Sequence, residues 1–420
     1  MFPKFDINKY DIGELGFLTD RCINELPRQF TYLHKIIANL STVNGDYFRR
    51  IVRSIKPNHS KKEYKSYVQD LSLSEKKFLY SICSLITHKF IWCCSLSNVT
   101  DTIPDFIGIP WFYVSEDLGL PLVLTHASTD LYNWSLDDLG QPFCLDNLKS
   151  NYLMTGHISE EWFYLIMVAI EGVGGRAINA MINIYNIVDY DVENIKLNLE
   201  VIYNSIKDIN LIIQRLPEHC EPLFFFEKLR IYISGSNDAT YFPNGLLIEN
   251  FDHPKISFAG ESAAQSSLIQ AFDIFFGIKH ENSFLKIMRN YMPENHRLFI
   301  EDIEKQTPIT DNKDMLVDKQ IKAFIENSIT ELITFRKHHY KIVYDYIYKY
   351  SQDASSSINI YGNKGTGGTD PKTFLSELIN DTREQINNIN KLPYIPNIFG
   401  QICGCVVILL SVAITYYFIS

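Results

Sequence analysis

The segment KDMLVDKQIKAFIENSITELITFRKHHYKIVYDYIYKY, residues 313–350, decides the fold class. Its apolar residues Leu316, Ile321, Phe324, Ile325, Leu332, Phe335, Ile342, Val343 and Ile347 recur at threes and fours, the repeat of an amphipathic helix. Asp311 or Asn312 suits its N-cap. Similar readings extend outward. Trp162–Ile187 reads as helix, with Gly172, Gly174 and Gly175 permitting close packing, and Pro222–Ile233 reads as helix with Pro222 at its first position. Ala263–Ile278 and the stretch from Pro371 onward complete the set, while strand signals are few and short and no internal repeat is present. The expected fold is all-α.

With 420 residues, two or three domains are the expectation. Mixed polar and Gly/Pro content at 137–159 separates two helical blocks, which divides the chain into a small unit, 1–145, and a larger one, 146–390. The Gly/Ser-rich stretch 351–370 is long for a connector and reads as a linker or a mobile lid. The formal charge of −10, without a long basic run, argues against nucleic acid as a partner. The 8 cysteines form no CxxC pair, so reduced thiols in a reducing compartment are expected.

Residues 392–420 carry no charged side chain, and Ile402–Ile419 (ICGCVVILLSVAITYYFI) would span about 27 Å as a helix. A transmembrane tail over 400–419 is expected. The N-terminus lacks an apolar signal, so the body is expected in the cytoplasm, tail-anchored to endoplasmic reticulum or mitochondrial outer membrane.

Four places hold residue types that suit chemistry. In the 313–350 helix, His339 falls on the apolar stripe and His338 on the wetter face. A histidine so placed, with Arg336 one turn away, fits either a haem ligand or a satisfied core residue. Phe226 and Arg230 share a face, which with Phe225 offers aromatic walls and a guanidinium fork for a planar carboxylate ligand, or plain core packing with a surface Arg. Small residues at 258–267, Ser262 and Ala263 among them, permit close backbone approach to a ligand or to another helix. GTGGT at 365–369 lacks the ending of a phosphate loop and reads as linker or lid.

In combination these blocks resemble the indoleamine 2,3-dioxygenase family, the haem enzymes that open the pyrrole ring of tryptophan. FFFEKLRIYISG (224–235), FAGESAAQSSLIQAFDIFFGI (258–278), RNYMPENHRLF (289–299), FRKHHYKIVYDYI (335–347) and KGTGGTDPKTFL (364–375) carry the resemblance, with DIGELGF (11–17) and the LPLVL…NW stretch ending at Trp134 in support. It implies a smaller N-terminal and a larger C-terminal helical domain, the latter holding haem b. His339 matches the proximal iron ligand, with Asp273 and Arg336 in the network near a propionate. Phe163, Phe225, Phe226, Arg230, Ser262, Ala263 and Thr366 match the substrate surroundings, Arg230 as the carboxylate clamp and Thr366 in the lid. O2 is the co-substrate. Both its atoms enter the indole C2–C3 bond of L-tryptophan to give N-formylkynurenine, and the soluble part is expected to be monomeric.

The chain departs from the family pattern at several points. His126 stands at a usual tyrosine, Thr129 at a cysteine, Met167 at a small distal serine and Glu261 at a glycine beside the haem edge. A buried Glu261 must pair, point outward or protonate. These changes leave two alternatives: a catalytically weak or inactive haem-binding or signalling homologue, or a dioxygenase of another indoleamine.

Overall fold

The computed structural model describes residues 5–57, 59–94, 96–187, 190–351 and 364–391. The expected transmembrane helix at 400–419 and most of the 351–370 stretch lie outside these residues. The described chain is mainly helical, as its periodicity predicts.

Local signals set the helix ends. Ser60 and Glu63, and again Ser72 and Glu75, form capping boxes that start the Lys61–Gln69 and Leu73–Trp92 helices. Pro222 and Pro371 begin the helical segments expected of them. Ile158–Tyr185 is apolar on nearly every face and is buried among other helices. Among the described residues it is the one helix long and apolar enough to cross a membrane, and its burial marks it as a core helix. Val192–Ile213 packs along it and along Lys319–Val343, which in turn packs on Pro371–Lys391. Buried apolar residues from Phe5 to Ile389 form one continuous core through these layers.

Two expected helices break. The 313–350 segment stops at Val317, because the Asp318 side chain turns to accept the amides of Gln320 and Ile321 and caps a new helix, Lys319–Val343. The 263–278 segment divides at Ser266, whose extended backbone separates a single turn, Ala263–Gln265, from Ser267–Phe275. The 137–159 boundary region adds a short antiparallel pair, Trp134–Leu136 with Leu148–Ser150. Thr102–Ile103 runs parallel to Leu247–Ile248. Cys22, Cys83, Cys93, Cys94, Cys144 and Cys220 are free thiols.

Among the described residues three π-helical turns interrupt the helical pattern, at Ala127–Leu131, Phe225–Leu229 and Tyr344–Tyr348. A π-turn widens the helix and re-aims its side chains. Each of the three places side chains on the same cavity.

Candidate active site

That cavity encloses about 1080 Å³, open solvent at its mouth included. Phe163 and Met167 come from the Ile158–Tyr185 helix, Phe225 from the second π-turn, and Ser262, Ala263 and Ala264 from the small-residue run. His339, Ile342 and Val343 come from Lys319–Val343, and Gly365–Gly367 from the end of the lid stretch. The walls are mostly apolar, and the Phe163 and Phe225 rings lie 5.1 Å apart.

The His339 ring opens onto this space and has no hydrogen-bond partner among the described residues. The ring is half-buried. Burial, and then the nearby Arg336 charge, pull its pKa down to about 4. The imidazole is therefore neutral at physiological pH and keeps a nitrogen lone pair. A neutral, unpartnered imidazole on an oily cavity wall is the donor that a haem iron takes as axial ligand, so the residues present fit a haem.

Behind His339, Arg336 is buried and holds Asp273 at 2.5 Å and the Thr382 hydroxyl at 2.6 Å. Asp273 also meets His280 at 3.0 Å, and His280 meets Asp381 at 2.8 Å. Asp273 and Arg336 do not line the cavity; they lock the His339 helix against Ser267–Phe275 and Pro371–Lys391.

Residues 364–367 dock on the 260–262 run. The Thr366 hydroxyl donates to the Glu261 carbonyl, and the Gly260 amide donates to the Thr366 carbonyl at 3.0 Å. Arg230 is buried, lies over the Phe226 ring at 5.2 Å, and donates to the Lys364 carbonyl at the edge of the lid. Neither Phe226 nor Arg230 is among the residues that line the cavity; Phe226 is buried beside Tyr350 and beneath the guanidinium.

Opposite the apolar walls is an acidic cluster that the sequence reading only half anticipated. His126 Nδ1 lies 2.6 Å from Asp130 and Nε2 2.9 Å from Glu171. Burial opposes the imidazolium, but the two carboxylates outweigh it and raise its pKa well above the ordinary value. Glu261 accepts a 2.8 Å hydrogen bond from Thr129, and Ser266 donates to Glu171 at 2.6 Å. Burial, with repulsion from Asp130, pushes the Glu261 carboxyl up to about 8. Ligand atoms of His126, Asp130 and Glu261 lie within 4.8 Å of one another. Asp130 and Glu171 were missed from sequence. Asp130 follows His126 by four in HASTDL, and Glu171 is a lone carboxylate in an apolar helix; these were the available signals.

The indoleamine 2,3-dioxygenase family model matches residues 6–385. The chain is 32% identical over 314 residues to mouse indoleamine 2,3-dioxygenase 1, covering 71% of this chain and 77% of that protein. It is 28% identical over 396 residues to the rat protein, covering 90% and 95%. It is 30% identical over 329 residues to a 6-hydroxytryptophan 2,3-dioxygenase from Fusarium equiseti, covering 73% and 80%.

Proposed function

The chain belongs to the indoleamine 2,3-dioxygenase family and is a haem dioxygenase, and from that premise we propose that it inserts both atoms of O2 across the indole C2–C3 bond of L-tryptophan to give N-formylkynurenine. The observation that carries the reading is the neutral, unpartnered imidazole of His339 facing an apolar cavity walled by Phe163 and Phe225.

His339 would hold haem b by ligating its iron, and the haem, when bound, would supply the oxygen chemistry that no side chain here can perform. The protein's own work is placement. Phe163 and Phe225 would flank the indole ring, and Ser262 and Ala263 would let it approach closely. Arg230, steadied over Phe226 outside the cavity lining, would bind the substrate carboxylate by giving up the Lys364 carbonyl for it. Thr366, hydrogen-bonded to Glu261, would close the lid and exclude water.

The test is reconstitution of the full chain with haem in detergent, followed by absorbance and tryptophan turnover under reductant. A Soret band and N-formylkynurenine are expected, and His339→Ala should lose the Soret band. Haem uptake that is indifferent to His339→Ala would refute the site. Haem uptake without turnover of any indole favours the non-catalytic haem binder. A second reading, another indoleamine as substrate, draws on the acidic cluster at the cavity wall and on the relative named for 6-hydroxytryptophan.

The uncharged run 402–419 supports a membrane anchor, and the N-terminus without an apolar signal supports a catalytic body in the cytoplasm. Fractionation of cells expressing the chain with and without residues 392–420 tests the anchor: both forms in the soluble fraction would reject it.

A further inference from the structure

Glu261 and Asp130 line the substrate cavity and are buried, 6% and 0% exposed. Glu261 Oε2 and Asp130 Oδ1 have no hydrogen-bond partner among the described residues. The nearest cation, His126, is flanked by both Asp130 and Glu171, so one imidazolium faces two carboxylates before Glu261 is counted. Among the described residues no Lys or Arg lines this cavity. Buried carboxylate oxygens without donors are costly unless protonated, and the cavity they line gives a donor access to them.

A metal ion fits this cluster poorly. Both His126 nitrogens already face carboxylates, so the imidazole offers no lone pair. A proton or an organic donor fits better. We infer that Glu261 and Asp130 form a donor-recognising subsite of the cavity, taking a protonated amine or a hydroxyl of the substrate. This rests on the indole dioxygenase reading and deepens it, because the subsite would set which indole is preferred. The raised pKa of Glu261 expresses the same unmet need, since a bound cation would replace the proton it retains.

The donor has two sources, the α-ammonium or a substituent on the ring. Calorimetry on the haem-loaded full chain separates them. Tryptophan against indole-3-propionate reports the ammonium; 5-hydroxytryptophan and 5-aminotryptophan against tryptophan report a ring donor. In at least one comparison the donor-bearing probe should bind about tenfold or more tightly. Glu261→Gln and Asp130→Asn, both close in shape to the native residues, should each cut that advantage to under about threefold with the Soret band unchanged. An advantage equal in both variants, or none in either comparison, overturns the subsite. One equivalent of Mn2+ bound by the native chain and lost in Glu261→Gln also overturns it, in favour of a metal site. Turnover without donor preference leaves the dioxygenase reading intact, whereas failure to bind any of these indoles overturns that reading and the subsite with it.

Discussion

Arg336 Nη2 and Asp273 Oδ1 lie 2.5 Å apart, and both side chains are buried. The pair joins the helix that carries His339 to the Ser267–Phe275 helix. Breaking one partner of such a pair strands the other charge, at a cost of about 3–5 kcal/mol. Asp273→Asn should therefore lower the thermal midpoint of the whole chain, and haem affinity should fall because the His339 helix is less firmly held. Calorimetry and haem titration on one preparation check both; an unchanged midpoint would show that the pair contributes nothing net.

His280 lies between Asp273 and Asp381, 3.0 and 2.8 Å from them. Burial opposes its charge, but Asp273 prevails and its pKa is raised above the ordinary value. The stability it contributes is complete below about pH 6.5, the unfolded value, and is lost as pH rises through the folded one. Asp273 behaves oppositely: burial alone would raise its pKa, yet Arg336 and His280 lower it. Its contribution is present above about pH 4 and is lost as pH falls through the folded value. Denaturant midpoints measured from pH 3 to 9 should therefore decline at both ends, and His280→Gln should remove the alkaline decline and also shrink the acid one, because Asp273 then keeps only Arg336 to hold its pKa down.

Arg230 reaches the lid edge through the Lys364 carbonyl. A charge-assisted bond to a substrate carboxylate is worth about 1.5–3 kcal/mol, so Arg230→Ala should lower kcat/KM by roughly 10- to 150-fold while the Soret band stays. Normal turnover in that variant would place the carboxylate elsewhere.

The Thr366 hydroxyl donates to the Glu261 carbonyl, the bond that would hold the proposed lid closed. Thr366→Val keeps shape and removes the donor, at a cost of about 0.5–1.5 kcal/mol of closure. KM should rise about 2- to 10-fold with the thermal midpoint nearly constant. A large drop in midpoint would instead mean that this bond holds the fold together.

Gly175 meets the backbone of Leu15 and Gly16 so closely that an added Cβ would stand 2.2 Å from the Leu15 carbonyl carbon. Alanine gains about 1 kcal/mol of helix propensity over glycine. Overpacking against backbone costs about 1–3 kcal/mol, sometimes more, and should win. Gly175→Ala is expected to lower the denaturant midpoint; a rise would mean that the 13–16 turn yields easily.

Much of this molecule was written in local spacing. The threes and fours around His339 put that ring on the apolar side of its helix, and the ring does face the cavity. Pro222 and Pro371 marked their helix starts because a proline lacks the amide that a first turn leaves unused. Spacing failed where a side chain competed with the backbone: the periodic run from Lys313 carries no sign that Asp318 will cap a fresh helix rather than continue the old one.

The order and spacing of the motif blocks determined the family, since they are a property of the string alone. Only the tertiary structure decided which side chains meet. Thr129 and Glu261 are 132 positions apart, and nothing local connects them. Phe226 shares a helical face with Arg230, yet faces the core instead of the cavity. A helical repeat states which residues point the same way; what stands opposite them is settled by burial summed over the whole chain, where each long-range contact is bought with loop entropy that no short window records.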